Sequence, residues 1–281
     1  MLTQILPGFR ELRTPMATGV LWLLSLWVAL GDRIPSPAKA TGFAARVYEL
    51  AGQIGKPGVG AAILFTAYAL GSVVAIPANQ LLREPTPDLW EPSILLPEPW
   101  PIVQGRPVLV QHRSAAAAAG YPAFANTRLL TRQAWADLQA HVSANSLVVW
   151  LESHRTDRHR DVAERILLRY VLDELDQLGT RLHAQSSTLY DDRDRLMAEA
   201  DLRVNIGAGI SILAAALSVR VSAFFVFASG LTVLFVLMGM ARARQANDVI
   251  VQALVIGEIS STALTEAESA VEVLSGATQN D

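Results

Sequence analysis

Four stretches of the chain carry no Asp, Glu, Lys, Arg or His: residues 14–31, 57–82, 204–219 and 221–241. They run for 18, 26, 16 and 21 residues. The last two are apolar on every side instead of along one stripe, which predicts helices surrounded by lipid. A bilayer core takes about 20 helical residues. The third run is short, at roughly 24 Å of helical rise. Arg203 and Arg220 at its ends have side chains long enough to snorkel to the interface. The alternative for the last two runs is a buried helical hairpin in a soluble domain. Unbroken apolar runs, in place of alternation, argue against a transmembrane β-barrel. The fold class expected is an all-α membrane protein, with four transmembrane helices in two hairpins and a cytoplasmic, mainly helical middle domain.

Between the first two runs, Pro35 and Pro37 open a loop, and Phe43, Val47, Leu50 and Ile54 then recur at i, i+4, i+7 and i+11. That spacing predicts one apolar helical stripe. Such a helix either lies in the membrane interface, with its basic residues toward anionic headgroups, or packs on the span ends. All 14 prolines fall at or before Pro122, and seven of them lie in residues 85–107 with Trp90 and Trp100. Proline at this density excludes a regular helix and favours extended or polyproline II backbone. This segment is expected to be a tether or, alternatively, a Pro-rich ligand for a partner domain. Residues 107–111 suggest a short strand, and residues 146–151 either another strand or a buried helical segment.

The proline-free remainder predicts helices. Residues 127–142 align Leu130, Ala134, Leu138 and His141. From Asp161 into the third run, Leu168, Leu175, Leu182, Leu189 and Leu196 repeat every seven residues. Val171 and Leu178 add a second seam, which Gln185 and Asp192 do not continue, so a full coiled coil is not expected. The repeat serves either packing within the chain or self-association, with Gly179 as a hinge. Asp191–Arg195 and Glu199–Arg203 are i,i+4 pairs with the acid first, which marks a solvated helix face and not a catalytic carboxylate pair. Residues 249–256 extend the last span toward Gly257. Leu264, Ala267, Val271 and Leu274 then form a final stripe beside Glu266, Glu268 and Glu272. The expected organisation is a first transmembrane hairpin (1–82), a Pro-rich tether (83–126), a cytoplasmic helical region (127–203), a second hairpin (204–241) and cytoplasmic C-terminal helices (242–281).

Flanking basic residues set the orientation. Arg193, Arg195, Arg203, Arg242 and Arg244 flank the open end of the second hairpin, against Arg220 alone in its turn. The first hairpin is nearly balanced, and connectivity then puts both termini and residues 83–203 in the cytoplasm. No cleavable signal peptide is expected, because Asp32-Arg33-Ile34-Pro35 after the first run lacks a small-x-small site. The spans carry small residues at helical spacing. Ala67, Gly71 and Ala75 share one face of the second, and Gly207, Ser211 and Ala215 one face of the third. Such faces let helices pack closely, within the chain or between subunits. Asn205 sits at the edge of the third span, to hydrogen-bond across helices or to meet solvated headgroups.

Composition narrows the chemistry. With 51% hydrophobic and 17% charged residues, a purely soluble enzyme is excluded. A net charge of −3 gives no general affinity for nucleic acid. With no cysteine there is no disulfide, thiol nucleophile or thiolate-bound metal. His112, His141, His154, His159 and His183 include no i,i+4 pair, so no helical metal-ligand pair is expected. The basic run 154–160 suits either a solvated helix start or anionic headgroups. No phosphate-binding loop, dinucleotide fingerprint, nucleophile elbow or zinc-protease motif is present. No catalytic, cofactor or metal residue is therefore assigned, and the protein is expected not to be an enzyme.

The segments Leu6-Pro-Gly-Phe-Arg-Glu-Leu-Arg-Thr-Pro15, Tyr190-Asp-Asp-Arg-Asp-Arg-Leu-Met-Ala-Glu-Ala200 and Ala246-Asn-Asp248 resemble a group of actinobacterial multi-pass membrane proteins. The likeness covers the membrane halves and implies no ligand or activity. Arginine outnumbers lysine by 21 to 2, a bias of high-GC bacterial genomes. The expected role is that of a non-enzymatic protein of the bacterial plasma membrane, an oligomeric scaffold or sensor. Its expected partners are the lipid bilayer, further copies of itself and a protein bound through the cytoplasmic region. The alternative is an oligomeric pore or membrane-perturbing effector, because residues 161–281 share the helix–two-span–helix layout of some bacterial conflict proteins. A secondary transporter would want discontinuous spans and polar midplane groups.

Overall fold

The computed structural model describes residues 2–82, 102–103, 106–107, 129–154 and 157–278. Four helices in it are long and apolar enough to cross a membrane: Leu12–Arg33, Phe43–Leu82, Ser187–Arg220 and Ala223–Val255. The helices are α1 (Leu2–Leu30), α2 (Phe43–Val74), α3 (Ala78–Leu82), α4 (Arg132–Ser143), α5 (Ser146–His154), α6 (Asp157–Asp173), α7 (Leu175–Gln185), α8 (Ser187–Arg220), α9 (Ser229–Val255) and α10 (Thr262–Thr278). Among the described residues the one other regular pairing is antiparallel, Ile102–Val103 with Arg106–Pro107. The chain divides into two compact units, Met1–Leu82 with Arg195–Ala243, and Arg83–Asp194 with Arg244–Asp281.

In the first unit α1 and α2 pack closely and run antiparallel. A methyl group on Gly19 would strike the Ala67 carbonyl, and one on Gly71 would strike the Pro15 carbonyl. Side chains are excluded at both points, so the two backbones touch directly. α2 is kinked at Gly55, whose φ of 68° and ψ of 178° suit glycine. Pro57 follows the kink and supplies no N–H. The second apolar run is not one unbroken helix as its composition suggested: α2 stops at Val74 and α3 starts at Ala78. Pro77 explains the break, since the residue before a proline is pushed out of helical backbone. The fourth run also differs from expectation. Its first part, Ala223–Ala228, is a tight 3-10 segment, and α9 begins at Ser229.

The second unit has a conventional apolar core. Leu138, Val142, Val148, Leu167, Val171, Leu178, Leu182 and Ile250 are almost wholly buried. Residues 146–151 are helical, the second of the two readings their composition allowed. Thr131 caps α4 by accepting from the Ala134 N–H at 3.4 Å, so this helix starts later than residue 127. The leucine repeat does not lie on one helix. α6 ends at Asp173 and α7 starts at Leu175, with Glu174 between them still in right-handed helical backbone at φ −79° and ψ −6°; the chain leaves helical geometry at Ser186, which is extended at φ −141° and ψ 94°. Gly179, expected as the hinge, is inside α7 and buried. A methyl there would sit 2.8 Å from the Arg193 guanidinium carbon, so this glycine makes room for an arginine and does not bend the chain.

Residues 83–101 lie outside the described residues, as do 104–105 and 108–128, and with them nearly all of the Pro-rich segment, the strand expected after Pro107, and His112. The Arg155–Thr156 part of the basic run lies outside them as well. Arg160 at the end of that run pairs with Glu152 at 3.3 Å.

Candidate functional site

Of the residues singled out in the spans, Ala67, Gly71 and Gly207 fall into contact with other spans of the first unit. Ala67 and Gly71 are the buried residues of α2 and meet α1. Ala75 of the same face is the residue at which α2 ends. Gly207 is buried, and a methyl on it would come within 3.1 Å of the Phe235 Cβ and the Thr232 carbonyl oxygen of α9. Ser211 is half-buried and Ala215 exposed, so the second small-residue face closes at its Gly207 end only. Gly239 of α9 completes that contact against Val204 and the Ala200 carbonyl.

Beside these faces sits a polar clamp. The break between α2 and α3 frees main-chain groups that a continuous helix would have satisfied internally, and in an apolar setting each free group is costly. Asn205 of α8 supplies partners. Its Oδ1 accepts from the Ile76 N–H at 2.8 Å, and its Nδ2 donates to the Ile76 carbonyl at 2.9 Å. The same Nδ2 donates to the Asp201 carbonyl at 2.8 Å. One turn earlier, Asp201 Oδ1 accepts from the Ala78 N–H at 2.7 Å, at the start of α3. Asn205 is 1% exposed. Of the two roles open to Asn205, cross-helix bonding is the one observed. At the other end of α8, Arg220 donates from Nη2 to the Ala29 carbonyl at 2.5 Å and from Nη1 to Asp32 Oδ2 at 3.0 Å. It thereby ties the end of α1 to the end of α8.

The second unit places Leu168, Leu175 and Leu182 in its own core, with Leu189 packed against it; Leu196 belongs to the first unit and is half-buried. The first three have their apolar faces covered within the chain, which is the intramolecular of the two arrangements the repeat allowed. A second polar clamp holds the last helix. Glu174, at the turn between α6 and α7, accepts from the Ser261 hydroxyl at 2.8 Å and from the Thr262 and Ala263 N–H groups at 3.1 and 3.2 Å. A carboxylate at a helix N-terminus satisfies its orphan donors and matches its dipole. Arg181 adds bonds to the Ser260 carbonyl and the Thr262 hydroxyl, both at 2.6 Å. Leu264 and Ala267 are buried beyond this clamp.

The Asn247–Asp248 pair anchors the start of α4. Asn247 Nδ2 donates to the Leu129 carbonyl at 3.0 Å, and Asp248 Oδ1 accepts from the Thr131 N–H at 3.0 Å. Asp248 lies seven residues, about 10 Å of helix, beyond the last apolar span, in the second unit. Burial raises its carboxyl above the usual carboxylate range, against the lowering by Thr131 and by the Arg244 charge. Burial also lowers the Arg193 guanidinium from its ordinary value, opposed by Tyr190 and Asp176.

Asp201, Glu174 and Arg181 were not singled out by sequence patterns. Asp201 stands four residues before Asn205, an i,i+4 polar pair at the edge of an apolar run, and Pro77 marked the break it serves. Glu174 had no local signal, because its partner lies 87 residues away. The polar atoms of both clamps are engaged with main chain or hydroxyls, so their chemistry is capping and tethering. Among the described residues no group of three or more His, Asp or Glu side chains is placed to hold a metal ion.

No family model matches the chain, and no curated protein or solved structure matches it.

Proposed function

We propose that the protein is a non-enzymatic, multi-pass protein of the bacterial plasma membrane. In this reading it acts as an oligomeric scaffold or sensor, with its second unit presented to protein partners in the cytoplasm. The observation that carries the reading is how the spans use their small residues. Gly19 and Ala67, Gly71 and Pro15, Gly207 and Phe235, and Gly239 and Val204 bring neighbouring helices into direct contact. Large apolar side chains point outward instead, among them Phe65, Val73 and Leu237. A packed anchor carrying a helical domain with its own core suits presentation more than conduction. The two-hairpin arrangement with both termini inside rests on the five arginines at the open end of the second hairpin, against Arg220 in its turn.

Ion flux tests the reading. The full chain in liposomes is expected to leave the membrane as tight as protein-free vesicles. Reproducible currents that vanish on changing Ser211 to Leu would replace the scaffold by an oligomeric pore walled with apolar side chains and backbone.

A further inference from the structure

One end of the first unit carries apolar side chains that nothing in the unit covers. At this end Arg220 meets Ala29 and Asp32, so the loop after α1 and the turn after α8 lie together. The turn is Ala223–Ala228, and Phe224 and Phe227 on it are 80% and 74% exposed. The Tyr48 hydroxyl donates to the Pro35 carbonyl at 2.8 Å, which seats the first part of α2 beside the same loop. On that helix Phe43, Val47, Leu50 and Ile54 are all exposed, Phe43 at 83%. At 100° per residue these four fall within about 60° of one another. Arg46, Glu49 and Gln53 occupy a separate sector, and Tyr48 a third. The kink at Gly55 separates this three-sided helix from the span that follows.

We infer that Phe43–Ile54 and the Phe224–Phe227 turn form a collar lying in the lipid at the boundary between headgroups and acyl chains. The inference rests on the membrane reading above and adds a second lipid contact to it. Four observations favour lipid as the occupant. The collar continues the outward apolar surface of α2, where Ile63, Phe65 and Val73 are exposed beyond the kink. The third apolar run, at roughly 24 Å, falls short of a hydrocarbon core of about 30 Å. Apolar surface carried past Arg220 by Phe224 and Phe227 makes up the difference. Arg220 is also neutralised by Asp32 and bonded to a carbonyl, which lowers the cost of holding it near apolar depth. Lys39, Arg46 and Lys56 stand around the collar at the level where anionic headgroups would lie.

The chain has no cysteine, so single thiols can carry a fluorophore. Full-length Phe43→Cys, Phe227→Cys, Glu49→Cys and Phe65→Cys proteins would be labelled and placed in phosphatidylcholine–phosphatidylglycerol vesicles. Quenching would be measured with lipids bearing a doxyl group near the headgroup or deep in the chain, and with aqueous iodide. The shallow doxyl lipid is expected to quench positions 43 and 227 roughly threefold more than position 49, with iodide reversing the order. Position 65 is expected to respond to the deep lipid. Quenching of 43 and 227 by iodide but not by lipid would overturn the collar while leaving the spans in place. Protection of both positions from lipid and iodide alike would also overturn it and assign the surface to a second copy. Failure of the deep lipid to quench position 65 would overturn the membrane reading and the collar with it.

Discussion

Replacing Gly71 by alanine tests the closest contact in the first unit. The added carbon would strike the Pro15 carbonyl and lie 2.9 Å from the Gly19 nitrogen. Both obstacles are backbone, so no rotamer change relieves them and the two helices must part. Overpacking of this kind costs about 1–3 kcal/mol. Alanine also gains up to about 1 kcal/mol over glycine in a helix interior. Gly60 provides the control, being on the same helix with nothing within 4 Å of the position its methyl would take. The propensity gain is common to both variants and cancels in their difference, leaving an overpacking penalty of about 1–3 kcal/mol for Gly71→Ala against Gly60→Ala. Equilibrium unfolding in mixed micelles, followed by loss of helical circular dichroism, measures that difference. Adding Gly19→Ala to Gly71→Ala should cost less than the sum of the two, because one separation of the helices accommodates both methyls. Equal stability of the Gly71 and Gly60 variants would refute the direct backbone contact.

Changing Asn205 to leucine strands the Ile76 N–H and carbonyl and should cost about 1–3 kcal/mol in the same unfolding experiment, with faster amide exchange at Ile76. Asp248→Asn keeps the acceptor for Thr131 and removes a buried charge. Because the folded carboxyl titrates above its unfolded value near about 4, the ionised form weakens the fold at neutral pH, and the group's penalty fades as pH falls. The variant should therefore be at least as stable as the parent at neutral pH and lose its advantage toward acid; a clear loss of stability at neutral pH would contradict this. A single cysteine at Ser36 should label from outside intact cells and one at Ser187 should not. Labelling at Ser187 would reverse the orientation.

Local pattern was enough for part of this protein. A run of apolar residues long enough to cross a bilayer is a property of consecutive positions, so all four long apolar helices were legible in the sequence. The same holds for the stripe from Phe43 to Ile54 and for the helical character of the proline-free half. Heptad spacing identified Leu168, Leu175 and Leu182 as residues that need covering, since burial demand is written into the side chain. What covers them was not. Leu178 and Leu182 share a core with Ile250 and Val251, which arrive from far along the chain.

Tertiary structure alone decided what the loose ends of the helices bind. Glu174 reads as one more surface acid until Ser261, Thr262 and Ala263 are brought to its carboxylate. Asn205 reads equally as a cross-helix hydrogen-bonding residue or a headgroup-level one until the unwound backbone at Ile76 is placed against it. Gly179 reads as a hinge until Arg193 is laid over it. In each case a free main-chain group or a bulky neighbour is supplied by a segment remote in sequence. Hydrophobicity and helical propensity are additive along the chain and can be read from it. Hydrogen-bond satisfaction and steric fit depend on pairs of positions, and only the folded chain brings those pairs together.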